Sequence, residues 1–183
     1  MDELTRLLRA AADGDRLALS QFIRRTQPDV WRFCAHLVDP SVADDLTQEV
    51  YLRALRTIPR FRGDSSARTW LLTVARRVAA DEIRSRQRRR RLPDPTEDVE
   101  ADRAGAHAIE ELVSSLDPAR REAFVLTQLL GLTYAEAAAA AEVEVGTIRS
   151  RVARARAELI AALADGDDGH GTPGEGGGDG HGA

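Results

Sequence analysis

Lysine is absent from this chain of 183 residues, so all 26 basic side chains are arginines. Cysteine occurs once, at Cys34, which excludes an internal disulfide, and its apolar helical surroundings predict a small buried hydrophobe. Aromatic residues make up only 4% of the chain, so Leu, Val, Ile and Ala must build the core. The chain also lacks a long apolar run and a basic N-terminal start followed by an apolar stretch. We therefore expect a cytoplasmic protein without membrane insertion.

Glycine is scarce except near the C-terminus, where nine of the 14 glycines fall in residues 166–182. The rest of the chain is rich in Ala, Leu, Arg and Glu and has few β-branched runs, which predicts an all-α fold. The Gly- and Asp-rich composition of residues 165–183 predicts a disordered tail.

The net charge of −4 is unevenly distributed along the chain. Residues 1–93 carry 19 arginines against 12 acidic residues, whereas residues 94–111 carry one arginine against seven acidic residues. Residues 92–104 also contain two prolines and almost no apolar side chains, which is typical of an extended linker. We therefore predict two small helical domains, residues 1–91 and 108–164, joined by a flexible acidic linker at 92–107.

Apolar periodicity and capping signals predict the individual helices. Asp117 followed by Pro118, and Thr133 followed by Glu136, are typical helix starts, and Gly131 is a candidate helix end. Ser41 with Asp44 predicts a further capping box, and Pro28 indicates either a kink or a helix start. In the first domain the predicted helices cover about 3–12, 15–38, 42–57 and 69–90.

The last predicted helix contains VGTIRSRVARARAEL, residues 145–159, with four arginines in eight positions. At about 100° per residue, an apolar stripe faces the core and small residues face outward. The apolar stripe consists of Ile148, Val152, Ala155 and Leu159. The outward face consists of Ser150, Ala153, Arg154 and Ala157, and the two flanks between them carry Arg149, Arg151 and Arg156.

This distribution favours a DNA-binding helix over a merely solvated one. A solvated helix normally pairs basic with acidic side chains, but the first acid here, Glu158, follows all four arginines. Small outward residues let a helix enter a major groove, where arginines contact base edges and phosphates. A short helix and a tight turn precede it, as in a helix-turn-helix.

The first domain carries a second basic region. FRGDSSARTWL is a polar loop ending in a tryptophan, and six of residues 84–91 in the helix that follows are arginines. A nucleic-acid backbone is the natural counterpart of such a helix, and the loop could hold unstacked bases. The helix at 42–57, taken alone, indicates only an exposed amphipathic surface.

Taken in order, ADDLTQEVYLRAL, FRGDSSARTWL, LDPARREAF, GLTYAEAA and GTIRSRVARAR resemble an extracytoplasmic-function sigma factor of the sigma-70 family. The resemblance covers residues from about 5 to 163 and is closest to the actinobacterial SigC-like branch. It implies a non-enzymatic protein without metal or cofactor, which binds bacterial RNA polymerase core at the clamp and flap. It also implies region 2 in the first domain and region 4 in the second, and an anti-sigma factor as a further candidate partner.

The resemblance assigns a role to particular residues. Region 2 would bind the −10 element as a single strand, and region 4 would bind the −35 element as a duplex. The implied core-contact residues are Asp44, Asp45, Leu46, Gln48 and Glu49. The implied −10 residues are Arg62, Gly63, Asp64, Ser65, Trp70, Arg76, Arg77, Arg84 and Arg88, and the implied −35 residues are Arg149, Ser150, Arg151, Ala153, Arg154 and Arg156. Ala67 stands where many relatives have an aromatic residue, so base stacking on that side is not expected.

Two other classes of protein fit parts of the pattern. A helix-turn-helix regulator would bind the same kind of duplex without binding core polymerase. A metal-dependent DNA enzyme would need a ligand cluster, but Asp44 and Asp45 point about 100° apart on a helix, and no His or Cys completes a site.

Overall fold

The computed structural model describes residues 2–90 and 107–167, which form helices and turns without a β-strand. The predicted all-α class is confirmed. The linker up to residue 106 and the tail from residue 168 lie outside the described residues. The helices are α1 (Glu3–Ala12), α2 (Arg16–Leu37), α3 (Ala43–Thr57), α4 (Ala67–Arg90), α5 (His107–Ser115), α6 (Pro118–Phe124), α7 (Tyr134–Ala141) and α8 (Val145–Asp167). Of these helices, none is sufficiently long and apolar to span a bilayer.

Side-chain caps define the starts of the first two helices. Asp2 accepts from the Thr5 backbone N–H at 2.9 Å, and Asp15 accepts from the N–H groups of Leu17 and Ala18. These carboxylates satisfy amides that have no acceptor within the helix. Helix α2 continues through Pro28, whose ring is exposed, so no new helix starts there.

The predicted capping box of Ser41 and Asp44 is wrong. Pro40–Val42 forms a short 3₁₀ turn, and Asp39 Oδ1 accepts from both the backbone N–H and the hydroxyl of Ser41. Helix α3 then begins at Ala43 without a side-chain cap. Asp44 instead accepts from Trp31 Nε1 at 3.0 Å, which links α3 to α2.

The second group of helices follows its predicted caps closely. The Asp117 side chain accepts from the Ala119 N–H, and Thr133 with Glu136 forms a complete capping box. A π-helical turn, Val125–Leu129, continues α6 towards Gly131, the predicted helix end. Gly131 has a φ of +68°, the left-handed conformation that suits glycine just after a helix end.

The two groups of helices share one hydrophobic cluster. Helix α4 packs against α7, and α2 contacts α6 and the π-helical turn. The buried cluster runs from Phe22, Phe33 and Leu71 in the first group to Leu126 and Ile148 in the second. Arg68 reinforces the contact, because it pairs with Asp29 and also donates to the Leu130 carbonyl oxygen at 2.6 Å. The first and second domains therefore pack directly on each other in this structure.

Cys34 is fully buried on α2, as predicted from its apolar neighbours, and burial raises the pKa of its thiol to about 12. The thiolate is the reactive form, so native protein at pH 8 should react with a thiol reagent about a thousandfold more slowly than denatured protein. Labelling with and without denaturant measures this difference. Equal rates would show that the thiol is accessible in the native state.

Candidate nucleic-acid interfaces

Helix α8 is positioned by the short helix α7 and the turn after it. Glu142 ends α7 in the left-handed conformation, and the Val143 N–H donates to the Ala138 carbonyl oxygen at 3.0 Å. This turn directs α8 across the second domain, where Ile148, Val152 and Ala155 are 0%, 1% and 0% exposed. The predicted inward stripe is therefore buried, with only Leu159 partly exposed.

The outward face of α8 presents small residues and arginines to solvent. Arg149, Ser150, Ala153 and Arg154 are all exposed. Within the described residues no ion pair is found for Arg149 or Arg154, whereas Arg156 donates to Gln128 Oε1 at 2.6 Å. Arg151 is half-buried, and its charge acts on Glu122. The four arginines thus differ in how available their guanidinium groups are to a binding partner, and Arg149 and Arg154 are the most available.

The loop at residues 61–66 is closed at its base by aromatic side chains. The Phe61 and Trp70 rings lie 5.4 Å apart at an interplanar angle of 59°, a tilted pair that joins the loop to the first turn of α4. Gly63 adopts a φ of +79°, which an L side chain rarely tolerates. Arg62 and Asp64 are exposed on either side of it, and Ser65 is half-buried.

Beside the loop, Trp70 and Val74 form the apolar floor of a groove rimmed by Arg53, Arg56 and Arg77. The combination of an aromatic ring and basic side chains suits an unstacked base and its phosphate. The sequence interpretation missed Arg53 and Arg56. The sequence does show that Arg53 and Arg56 are three residues apart on α3 and therefore share one face of the helix. It does not show that this face lies next to Trp70, because that depends on tertiary packing.

Arg53 is also a fixed part of the groove. Its Nε donates to Glu49 Oε1 and its Nη1 to Asp81 Oδ2, both at 2.6 Å, so it bridges α3 and α4. Hydrogen bonds from Arg53 and Arg84 lower the pKa of Asp81. Further along α4, Arg84 pairs with Asp81, whereas Arg88 is exposed.

The predicted contact surface on α3 is only partly available. Asp44, Asp45 and Gln48 are exposed, and Glu49 is held by Arg53. Leu46 is 8% exposed and belongs to the hydrophobic core, so its side chain offers little surface for a contact, and its role in binding the polymerase core stays a prediction.

Two exposed leucines give this surface an apolar part that the sequence interpretation missed. A groove between α2 and α3 is lined by Ile23, Gln27, Tyr51, Leu52 and Leu55, among others. Leu52 and Leu55 are 46% and 40% exposed, and both line this groove. The groove lies next to the exposed acidic residues of α3. Across the described residues, no group of His, Cys, Asp and Glu is arranged to hold a metal ion.

Comparison with known proteins assigns both parts of the chain. The model of sigma-70 region 2 matches residues 22–89, and that of sigma-70 region 4 matches residues 106–159. The chain is 53% identical over 169 residues to the ECF RNA polymerase sigma factor SigC of Mycobacterium tuberculosis, covering 87% of this chain and 91% of the relative. It belongs to the extracytoplasmic-function sigma factors of the sigma-70 family.

More distant relatives agree with this assignment. The ECF RNA polymerase sigma-E factor of Escherichia coli is 31% identical over 173 residues, 82% of this chain and 88% of that protein. Among solved structures, Bartonella quintana RpoE in complex with the anti-sigma factor NepR has a TM-score of 0.68 at 26% identity, covering 80% of this chain and 96% of that chain. CnrH in complex with the cytosolic domain of CnrY has a TM-score of 0.69 at 25% identity, covering 90% and 99%. The chain is therefore an alternative sigma factor that directs promoter-specific transcription initiation.

In this sigma factor, two basic residues of region 2 are paired with region 4. Arg76 Nε donates to Glu122 Oε1, and Arg77 Nη2 donates to Glu142 Oε1, both at 2.6 Å. Arg76 also reaches Glu142 at 3.3 Å. Burial raises the pKa of Glu122, and the charge and hydrogen bond of Arg76 oppose this effect. Two of the predicted −10 residues, Arg76 and Arg77, thus form ion pairs with acidic side chains of region 4.

Proposed function

We propose that region 4 binds the −35 element as a duplex through the outward face of α8. The observation that carries this proposal is the exposure of Arg149 and Arg154 without ion-pair partners among the described residues, beside the small Ser150 and Ala153. Small residues permit close approach to base edges, and free guanidinium groups can donate to them. Arg156, steered by Gln128, and the half-buried Arg151 better suit phosphates at the groove walls.

Region 2, in this proposal, binds the −10 element as a single strand. Arg62, Gly63, Asp64 and Ser65 hold a flipped base, and the Trp70 groove receives a neighbouring one. The arginines of α4 bind the strand backbone, and Arg56 of α3 now joins Arg76, Arg77, Arg84 and Arg88 in that role, whereas Arg53 is held by Glu49 and Asp81. Support comes from the polar loop, the aromatic floor and the basic rim lying side by side.

The core-contact surface is proposed for α3 and the groove beside it. Asp44, Asp45, Gln48 and Glu49 supply the polar part, and Leu52 with Leu55 supply the apolar part. An apolar centre bordered by charged residues is the usual anatomy of a protein interface. The surface would meet the clamp of bacterial RNA polymerase, while region 4 would meet the flap, in the cytoplasm. The complexes solved for RpoE and CnrH suggest an anti-sigma factor as a further partner class.

The division of the chain also forms part of the proposal: region 2 at residues 1–91, an acidic linker at 92–107, region 4 at 108–164 and a Gly- and Asp-rich tail at 165–183.

In the packed structure, Arg76 and Arg77 bind acidic side chains of region 4. The pairs with Glu122 and Glu142 therefore compete with a DNA strand for these two guanidinium groups. Movement of region 4 away from α4 would favour promoter binding by region 2.

Reconstituted transcription tests the function directly. Core polymerase mixed with this protein and a randomised promoter library should give transcripts from a defined pair of −10 and −35 sequences, recovered by sequencing. Core polymerase alone is the control. Specific duplex binding without any transcript would contradict the proposal and indicate a helix-turn-helix regulator instead.

A further inference from the structure

Helix α1 makes a buried hydrogen bond to the start of α4, across 62 residues of sequence. Thr5 is 4% exposed, and its Oγ1 accepts from the Ala67 backbone N–H at 2.9 Å. The same hydroxyl donates to Asp2 Oδ2 at 2.6 Å, which fixes its orientation. Ala67 is the first residue of α4, where backbone amides lack intrahelical acceptors. The end of the 61–66 loop is therefore capped by a side chain of α1.

Arg9, one turn further along α1, covers the middle of the same loop. A Cβ atom built on Gly63 would overlap Arg9 Nη2 and lie 3.2 Å from Arg9 Cζ. The guanidinium thus rests directly on the glycine, which has the left-handed φ of +79°. Helix α1 also contacts Ile58–Arg60, the turn that leads into the loop. Helix α1 consequently touches the loop before, within and after its exposed part.

We propose that Thr5 and Arg9 are positioning residues for −10 recognition: they hold the 61–66 loop in the conformation that accepts the flipped base. A loop fixed before binding loses less conformational entropy when the base enters, and it holds its polar groups in one geometry. Arg62 and Asp64, the exposed residues of the loop, flank the glycine that Arg9 covers. This inference rests on the proposed role of the loop in base capture.

Substitutions that remove each contact separately test the proposal. Thr5→Val keeps the shape of the side chain but removes the acceptor, and Thr5→Ser restores it. Arg9→Ala uncovers Gly63, and Arg6→Ala is its matched control, because Arg6 is also an exposed arginine of α1. Each full-length variant is assembled with core polymerase and titrated with single-stranded −10 oligonucleotides that carry each of the four bases at each position.

Thr5→Val and Arg9→Ala should each reduce discrimination at one −10 position by about five- to tenfold. Discrimination at the other −10 positions, binding of −35 duplex and core affinity should stay at the wild-type level. Thr5→Ser and Arg6→Ala should behave as wild type. If Thr5→Val fails to fold by circular dichroism, Arg9→Ala, a change at an exposed side chain, decides the outcome.

Two results would overturn the inference. Unchanged discrimination in folded Thr5→Val and Arg9→Ala would limit α1 to a structural role, and a uniform loss at all positions would have the same meaning. Asp64→Ala separates this failure from that of the proposed function. If Asp64→Ala alters base preference while the α1 variants do not, the loop captures the base without help from α1. If Asp64→Ala also has no effect, both proposals are wrong.

Discussion

Arg154→Ala should lower the discrimination of this sigma factor between its preferred −35 base and the alternatives by about 1–3 kcal/mol, or roughly five- to 150-fold. Arg154 is exposed on the outward face of α8, and no ion pair with another described residue restrains it. Its loss removes donors to a base edge but leaves the buried stripe of α8 intact. Binding of region 4 to a set of −35 duplexes, each with one altered base pair, measures the change.

Arg156→Ala is the matched control for this substitution. Arg156 is exposed on the same helix and is oriented by Gln128 towards the edge of the binding face. Its removal should weaken binding to all duplexes about equally and reduce the salt dependence by about one phosphate contact. Core binding should be the same for both variants. Reduced core affinity with unchanged −35 preference in Arg154→Ala would refute its proposed role.

Glu142→Arg should release region 2 from region 4 in the free protein. The substitution replaces two attractive pairs, with Arg76 and Arg77, by two repulsive ones at the same location. Exposed pairs contribute little individually, but like charges brought together across an interface are strongly unfavourable. The free variant should bind a single-stranded −10 oligonucleotide about tenfold more tightly than wild type. Small-angle X-ray scattering should report a larger radius of gyration.

Glu144→Arg provides the control, because it makes the same charge change two residues away. Glu144 is exposed, and no ion pair joins it to a side chain that the structure describes. It should add the same non-specific attraction for the oligonucleotide without altering the radius of gyration. If both variants bind the oligonucleotide equally, the gain comes from net charge alone and the packed domains do not restrict access.

Local features of this fold were predictable from the sequence. Asp117, Thr133 and Glu136 form capping hydrogen bonds with residues at most three positions away along the chain. The types and spacing of these residues therefore suffice to place the helix starts. The inward stripe of α8 was predictable for the same reason, because helical periodicity alone brings Ile148 and Val152 to one face.

Features that depend on tertiary contacts were not predictable in the same way. Ser41 and Asp44 have capping-box spacing, but Ser41 donates to Asp39, and Asp44 accepts from Trp31 of α2, 13 residues away. Leu46 is an exception, because its helical spacing from Ala43, Val50 and Ala54 already predicts that it lies on the buried face of α3. The pairing of Arg77 with Glu142, 65 residues apart, leaves no periodic signal in the sequence.

Glu142 occupies a backbone conformation that would suit glycine better. Its φ of 56° places it in the left-handed region, which costs a residue with a Cβ atom roughly 1 kcal/mol. The same residue provides the carboxylate that faces Arg76 and Arg77. A glycine would relax the turn of the helix-turn-helix, but it would leave two cations of region 2 without this counter-charge. The sequence thus accepts a locally less stable turn in exchange for a negative charge placed where the two promoter-binding regions meet.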